Sequence, residues 1–174
     1  MKKGDENKIL IETGQLARGP REVDGEVDGA AVFALEGDPV ARARGPLKYR
    51  LRAELTGGGE VVVTGEAEAG FELLCGRCAR FFSTNAKIGA FLRAYAWEDH
   101  PEAIDATADV RDELLLELPG YPLCGPDCKG LCPRCGKNLN EGPCGCPAPD
   151  EPAADGAWGA LDGWTEDGGN GVRK

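Results

Sequence analysis

The sequence predicts a β-rich α+β fold, an antiparallel hairpin or meander domain with one short helix and a C-terminal four-cysteine module. Three observations carry this. Leu47, Tyr49, Leu51, Ala53 and Leu55 alternate with Lys48, Arg50, Arg52 and Glu54, the period of a half-buried strand. After Gly57, Gly58 and Gly59, residues that permit the backbone angles of a tight turn, Val61, Val63, Gly65, Ala67, Ala69, Phe71 and Leu73 hold one parity up to Cys75. Six of the eight cysteines then fall within residues 124–146.

In chain order, residues 1–29 read as a mostly flexible acidic segment with one edge-strand patch at Ile9, Leu10 and Ile11. Within it, residues 21–29 alternate acids with Val23 and Val27 and read as a solvated linker. Residues 30–36 read as a strand closed by Gly37, Asp38 and Pro39, and the hairpin described above follows. Residues 81–97 are apolar, with Ser83, Thr84 and Asn85 set among β-formers, giving one or two strands. Their imperfect alternation predicts a bulge near Gly89. A polar loop holds His100, the one histidine. Asp109 then marks a helix start, Val110, Leu114 and Leu118 recur four apart, and Pro119 stops the helix just before Cys124.

This divides the chain into the N-terminal segment, a β-rich domain over 30–128, a distal module over 129–146, and an acidic flexible tail over 147–174. The tail carries a docking patch of Trp158, Leu161 and Trp164.

Composition narrows the function. The formal charge is −10 and the acidic excess sits at the two ends, which opposes tight nonspecific binding to a phosphate backbone. The polar start and the lack of a long apolar run predict a cytoplasmic protein with no membrane partner. In a reducing compartment, eight cysteines serve as metal-binding thiolates rather than as disulfides.

Cys132-Pro-Arg-Cys135-Gly136 has the form of a turn whose two thiolates share one tetrahedral zinc, with the glycine allowing the backbone to fold back under the sulfurs. Cys144 and Cys146 complete a distal zinc site. Cys75, Cys78, Cys124 and Cys128 would form a proximal one, so two zinc ions are expected. Other partitions exist: Cys75 and Cys78 can join Cys132 and Cys135, or the six clustered cysteines can hold metal alone. Iron-sulfur ligation uses the same thiolates, but its usual runs have different spacing. A dithiol redox role for Cys75 and Cys78 would need a helix start after a βαβ pattern, where this sequence has a hairpin.

With every thiol assigned, no open metal position, catalytic residue, phosphate-binding loop or small-molecule substrate site is expected. Partner contacts are expected from Arg42, Arg44, Lys48, Arg50 and Arg52 on the hairpin, and from Arg77, Arg80, Lys129, Arg134 and Lys137 around the cysteines. Ordinary solvated faces would explain the same residues.

Residues 118–124 (Leu-Pro-Gly-Tyr-Pro-Leu-Cys), 127–133 (Asp-Cys-Lys-Gly-Leu-Cys-Pro), and Cys135-Gly136 with Asn138, Leu139, Asn140, Cys144 and Cys146 carry a resemblance. With the upstream Cys75-Gly-Arg-Cys78, they resemble the bacterial YceD family, also called the large ribosomal RNA subunit accumulation protein. The resemblance covers about residues 47–146. It implies a non-enzymatic role in 23S rRNA accumulation and ribosome biogenesis, with rRNA, a basic ribosomal protein or a pre-50S particle as partner. Related chains tend to end in a basic amphipathic helix, whereas Trp158 and Leu161 are followed here by Asp162, Gly163, Trp164, Thr165, Glu166 and Asp167. A thiol redox enzyme or sensor using Cys75 and Cys78, and a zinc-ribbon adaptor in another nucleic-acid process, are the alternatives.

Overall fold

A computed structural model describes residues 7–99 and 102–147. Its centre is the expected hairpin. Strands β3 (Ala41–Leu55) and β4 (Glu60–Leu74) pair antiparallel, Leu55 facing Val61, around a turn held by Thr56 N–H to Glu60 O at 2.8 Å and Gly59 N–H to Thr56 O at 3.2 Å. Gly59 sits at φ +80°, which a glycine adopts without steric cost. Side chains alternate in and out along both strands. Leu47, Leu51, Ala53, Val61, Val63, Ala67, Ala69, Phe71 and Leu73 are buried on one face, and their neighbours carry the charges on the other.

Flanking this hairpin are β2 (Arg21–Asp28) and β5 (Phe81–Ala96), giving a four-stranded antiparallel meander in the order β2-β3-β4-β5. β5 is one strand. Gly65 faces Phe91 and Ala67 faces Ile88, so Gly89 and Ala90 together oppose Glu66; the bulge lies where the broken alternation placed it. Gly65 makes this kink possible, because a Cβ there would lie 2.2 Å from Arg50 O. A second irregularity in β3, between Arg44 and Lys48, contains Gly45 at φ +72° and Pro46, which has no N–H to give to a ladder.

Strand β1 (Leu10–Glu12) pairs with β6 (Ala103–Asp105) as a separate two-stranded sheet. Ile9, Ile11, Ile104 and Ala106 there are fully buried. The helix α2 (Thr107–Leu116) buries Val110 and Leu114, as the four-residue spacing predicts. It begins two residues before Asp109. Asp105 Oδ1 accepts from Thr107 N–H at 3.1 Å and Thr107 Oγ1 accepts from Ile9 N–H at 2.8 Å, so the helix start is tied to β1. Asp109 occupies the first turn instead, where its carboxylate accepts from Tyr95 Oη at 2.7 Å and lies 3.6 Å from Arg93. Burial, with that carboxylate, holds the Tyr95 phenol well above its ordinary value.

Two local readings are corrected. Residues 21–28, read as a solvated linker, are strand β2. Its acids face the basic side of β3, with Glu22 3.7 Å from Arg52 and Glu26 3.7 Å from Lys48, while Val27 turns inward. The charge pattern of a linker was half of a cross-strand ladder, and its other half lies about 25 residues away in sequence.

Residues 30–36, read as a strand, contain the one-turn helix α1 (Gly29–Phe33). Asp28 Oδ1 caps it by accepting from Ala30 N–H at 3.1 Å, and Ala34 ends it at φ +49°. A short apolar run does not itself distinguish strand from helix, and a single turn suffices to bury Val32 and Phe33. Phe33 meets the Phe71 ring edge-on at 4.8 Å. His100 and the Trp158, Leu161 and Trp164 patch lie outside the described residues. Among the described residues, no helix is long and apolar enough to cross a membrane.

Candidate metal centre

The turn between β4 and β5 is itself a cysteine knuckle. Cys75 N–H donates to Arg80 O at 2.9 Å, and Ala79 N–H returns to Cys75 O at 2.9 Å with Ala79 at φ +52°. Fifty-odd residues later the same pattern recurs: Cys132 N–H to Lys137 O at 2.8 Å, Gly136 N–H to Cys132 O at 2.9 Å, and Gly136 at φ +71°. Each loop folds its amides back toward its first sulfur, as a thiolate needs.

The remaining proximal thiols arrive with the chain leaving α2. Gly76 N–H donates to Pro122 O at 2.8 Å, and Tyr121 lays its ring over Gly76 and donates its hydroxyl to Gly76 O at 3.1 Å. A side chain at position 76 would strike that ring. Cys124 and Cys128 are thereby set against the first knuckle, with Gly125 and Gly130 keeping the segment out of helix; Gly130 sits at φ +74°.

The sulfurs form two sets, Cys75, Cys78, Cys124 and Cys128, and Cys132, Cys135, Cys144 and Cys146, with all ligand atoms of a set within 4.8 Å of one another. Cys75 and Cys128 sulfurs are 3.8 Å apart and Cys78 and Cys124 sulfurs 3.7 Å. Four sulfurs each about 2.3 Å from one ion at tetrahedral angles lie about 3.8 Å from one another. The spacing therefore suits a shared tetrahedral ion and is far too long for a disulfide. Cys75, Cys78 and Cys128 are buried beside Phe82 and Leu123, while the distal set is more open, with Cys135 exposed.

Electrostatics within each set match this reading. Burial pushes the Cys75 thiol up, but amide N–H groups of Cys124, Cys78 and Arg77 outweigh it and bring the group down to about 6. Cys128 is lowered chiefly by the Asn140 side-chain amide, and Cys124, crowded by Cys128 and Cys78, is pushed up to about 12. In the distal set the N–H groups of Cys135 and Arg134 bring Cys132 down to about 6, and Cys135 pushes Cys146 up to about 12. Adjacent thiolates repel, so some stay protonated until a cation neutralises the set. The donors fit a zinc ion at each set, and four thiolates per ion leave no open coordination position.

The ten basic residues fall into two environments. On the sheet, Arg44 lies 3.4 Å from Glu72 and 2.7 Å from Ser83 Oγ, Arg50 lies 3.4 Å from Glu66, and Lys48 and Arg52 meet the acids of β2. Arg42 stacks 4.1 Å over the Phe81 ring. Around the sulfurs, Arg77 donates to Cys128 O at 3.3 Å, Arg80 lies 3.8 Å from Glu141, and Lys137 Nζ donates to Pro143 O at 3.0 Å. Lys129 gives its backbone N–H to Asn140 Oδ1 at 2.9 Å, and the Arg134 N–H serves Cys132. Asn140 and Tyr121 are site residues that reading by type missed. A neutral amide and a phenol near cysteines carry no ligand signal, and their contacts reach 12 and 45 residues along the chain.

Residues 94–163 match the family model of YceD, described as large ribosomal RNA subunit accumulation protein. The resemblance seen in the cysteine motif is to this family. The YceD stretch takes in α2 and both downstream cysteine groups but starts after Cys75 and Cys78, later than the motif reading had it, and it runs on past residue 146. An uncharacterized protein of Mycobacterium tuberculosis is 33% identical over 112 residues, 56% of this chain and 53% of the relative. The chloroplastic YCED homolog 1 of Arabidopsis thaliana, also named for large ribosomal RNA subunit accumulation, is 41% identical over 56 residues, 29% of this chain and 17% of the relative. The corresponding Zea mays protein is 44% identical over 50 residues, 25% and 17% of the two chains. This chain thus spans about half the length of the first curated relatives it matches. No solved structure matches it.

Proposed function

We infer that this chain is a non-enzymatic, zinc-stabilised binding factor in large ribosomal subunit biogenesis that supports 23S rRNA accumulation. The observation that carries the reading is the coincidence of the YceD match with two sets of four thiols, one with its sulfurs at tetrahedral spacing. Proximal zinc would be held by Cys75, Cys78, Cys124 and Cys128, and distal zinc by Cys132, Cys135, Cys144 and Cys146. The ions would brace the end of the β4–β5 hairpin and the loops beyond α2, supplying folding energy rather than chemistry.

A basic ribosomal protein segment on a pre-50S particle is the partner that the charges favour. Bases on β3 are engaged by Glu22, Glu26, Glu66 and Glu72, so the sheet presents alternating stripes instead of a continuous positive face. Direct rRNA contact would fall to the cluster end, where Arg77, Arg80, Lys129, Arg134 and Lys137 gather. A redox role for Cys75 and Cys78 is disfavoured by their burial within a set of four thiols.

Purified protein is expected to hold about two zinc ions per chain and to crosslink to a ribosomal protein in pre-50S particles. Metal-free protein that rapidly reduces insulin disulfides would overturn the zinc reading. Particles that yield no crosslink to protein or rRNA would overturn the ribosomal one.

A further inference from the structure

The turn Leu139–Glu141 belongs by connectivity to the distal set, since it lies between Cys135 and Cys144, yet its side chains reach the proximal one. Asn140 Nδ2 donates to Cys128 Sγ at 3.4 Å while its Oδ1 accepts from Lys129 N–H at 2.9 Å, so the amide grips both the sulfur and the next backbone group. Asn138 fixes the amide from the other side: its Oδ1 accepts from Asn140 Nδ2 at 2.8 Å and from Asn140 N–H at 3.0 Å.

Next in the same turn, Glu141 lies 3.8 Å from Arg80, two residues after Cys78 in the first knuckle. Backbone bonds join the same parts, Leu139 N–H to Gly130 O at 2.9 Å and Leu131 N–H to Arg77 O at 3.0 Å. The distal loop therefore meets one proximal sulfur directly, Asn140 on Cys128, and reaches the knuckle that carries the other pair through Glu141 on Arg80.

We propose that Asn140 is a positioning residue of the proximal thiolate set, and that through it assembly of the distal set raises the metal affinity of the proximal one. This rests on reading both sets as zinc sites. A three-residue turn has little stability of its own and depends on its ends being held. When Cys135 and Cys144 share an ion, the loop between them is closed and the Asn140 amide is delivered to Cys128 without further loss of chain entropy. With the distal thiols apart, proximal metal binding must also order that loop. Coupling of this kind is reciprocal, so proximal loading favours distal loading by the same factor.

The test is competitive chelator titration of the full chain with zinc, in Cys78→Ser and Cys135→Ser backgrounds that leave one set each, and in the wild type. Asn140→Ala is expected to lower proximal affinity by about 10- to 100-fold when the distal set is intact, and to leave distal affinity in the Cys78→Ser protein unchanged. Asn140→Asp should lower proximal affinity further, because it places a carboxylate against a thiolate. Cys135→Ser alone should weaken the proximal set by a similar factor, and adding Asn140→Ala there should change little, since the loop no longer presents the amide.

Equal zinc affinity in wild type and Asn140→Ala would overturn the proposal. So would an Asn140→Ala loss of the same size with and without Cys135, which would leave Asn140 uncoupled from the distal set. Lys137→Ala, which removes a bond inside the distal loop but touches no proximal sulfur, controls for general loosening. A loss there equal to that of Asn140→Ala would also overturn it. A wild-type chain that takes up no zinc would reject the underlying zinc reading instead, a result distinct from all of these.

Discussion

Ala79 and Gly136 occupy the same place in two like knuckles, both in the left-handed region, at φ +52° and +71°. A side chain there costs about 1–2 kcal/mol, offset in part by the greater freedom that glycine loses on folding, about 0.5–1 kcal/mol. Ala79→Gly in the zinc-loaded protein is therefore expected to raise stability by about 0.5 kcal/mol, and Gly136→Ala to lower it by about 1 kcal/mol. Paired denaturant titrations check both, and a destabilised Ala79→Gly would refute the strain argument. The cysteines and their x-x spacing were legible in the sequence, as was the need for a special residue after Cys135. That Ala79 accepts the same conformation was not, because alanine gives no local signal of a positive φ.

Helix α2 shows how one acid ties an element to the rest of the fold. Burial pushes the Asp105 carboxyl up, but the Thr107 hydroxyl and N–H and nearby Lys8, at 3.3 Å, outweigh it and hold it below its ordinary value. A carboxyl with a depressed folded value stabilises the fold fully above its unfolded value, about 3.9. That contribution is lost as pH falls through the folded value. Asp105→Asn should therefore lower the melting temperature at pH 7 and narrow the gap to wild type below about pH 4. A constant gap down to pH 2 would contradict the assignment. The helix itself was readable from Val110 and Leu114, but its start was read at Asp109 because the N-cap, Ala106, has no capping side chain and Thr107 is fixed in part by a bond from Ile9 far away in sequence.

For the molecule as a whole, the main sheet with the elements packed on it has its own apolar core, whereas the described part beyond Leu118 adds almost no apolar burial besides Leu123 and the cysteines. With zinc held as proposed, a chelator should accordingly remove amide hydrogen-exchange protection from residues 121–147 and the 75–80 turn first, while central β3 and β4 amides keep theirs. Acidification should act in the same direction, because zinc binds thiolates and competes with protons; affinity falls as pH drops and the sulfurs reprotonate. Simultaneous loss of protection across the sheet would show that the metal sets hold the entire fold.

Periodicity in the sequence alone determined the long hairpin, the buried parity of its strands, the bulge near Gly89 and the apolar stripe of α2, because each is a local pattern written in consecutive residues. The cysteine motif likewise determined the YceD resemblance. Interactions between distant segments decided the rest. β2 became a strand because its backbone found a ladder on β3 and Val27 a place in the core, residues 29–33 became a helical turn with Asp28 as its cap, and the proximal four sulfurs came together, in the expected partition, because the β4–β5 turn meets the segment after α2. Pairing and closure depend on which surfaces meet in space, and a linear pattern carries no record of that until the chain has folded.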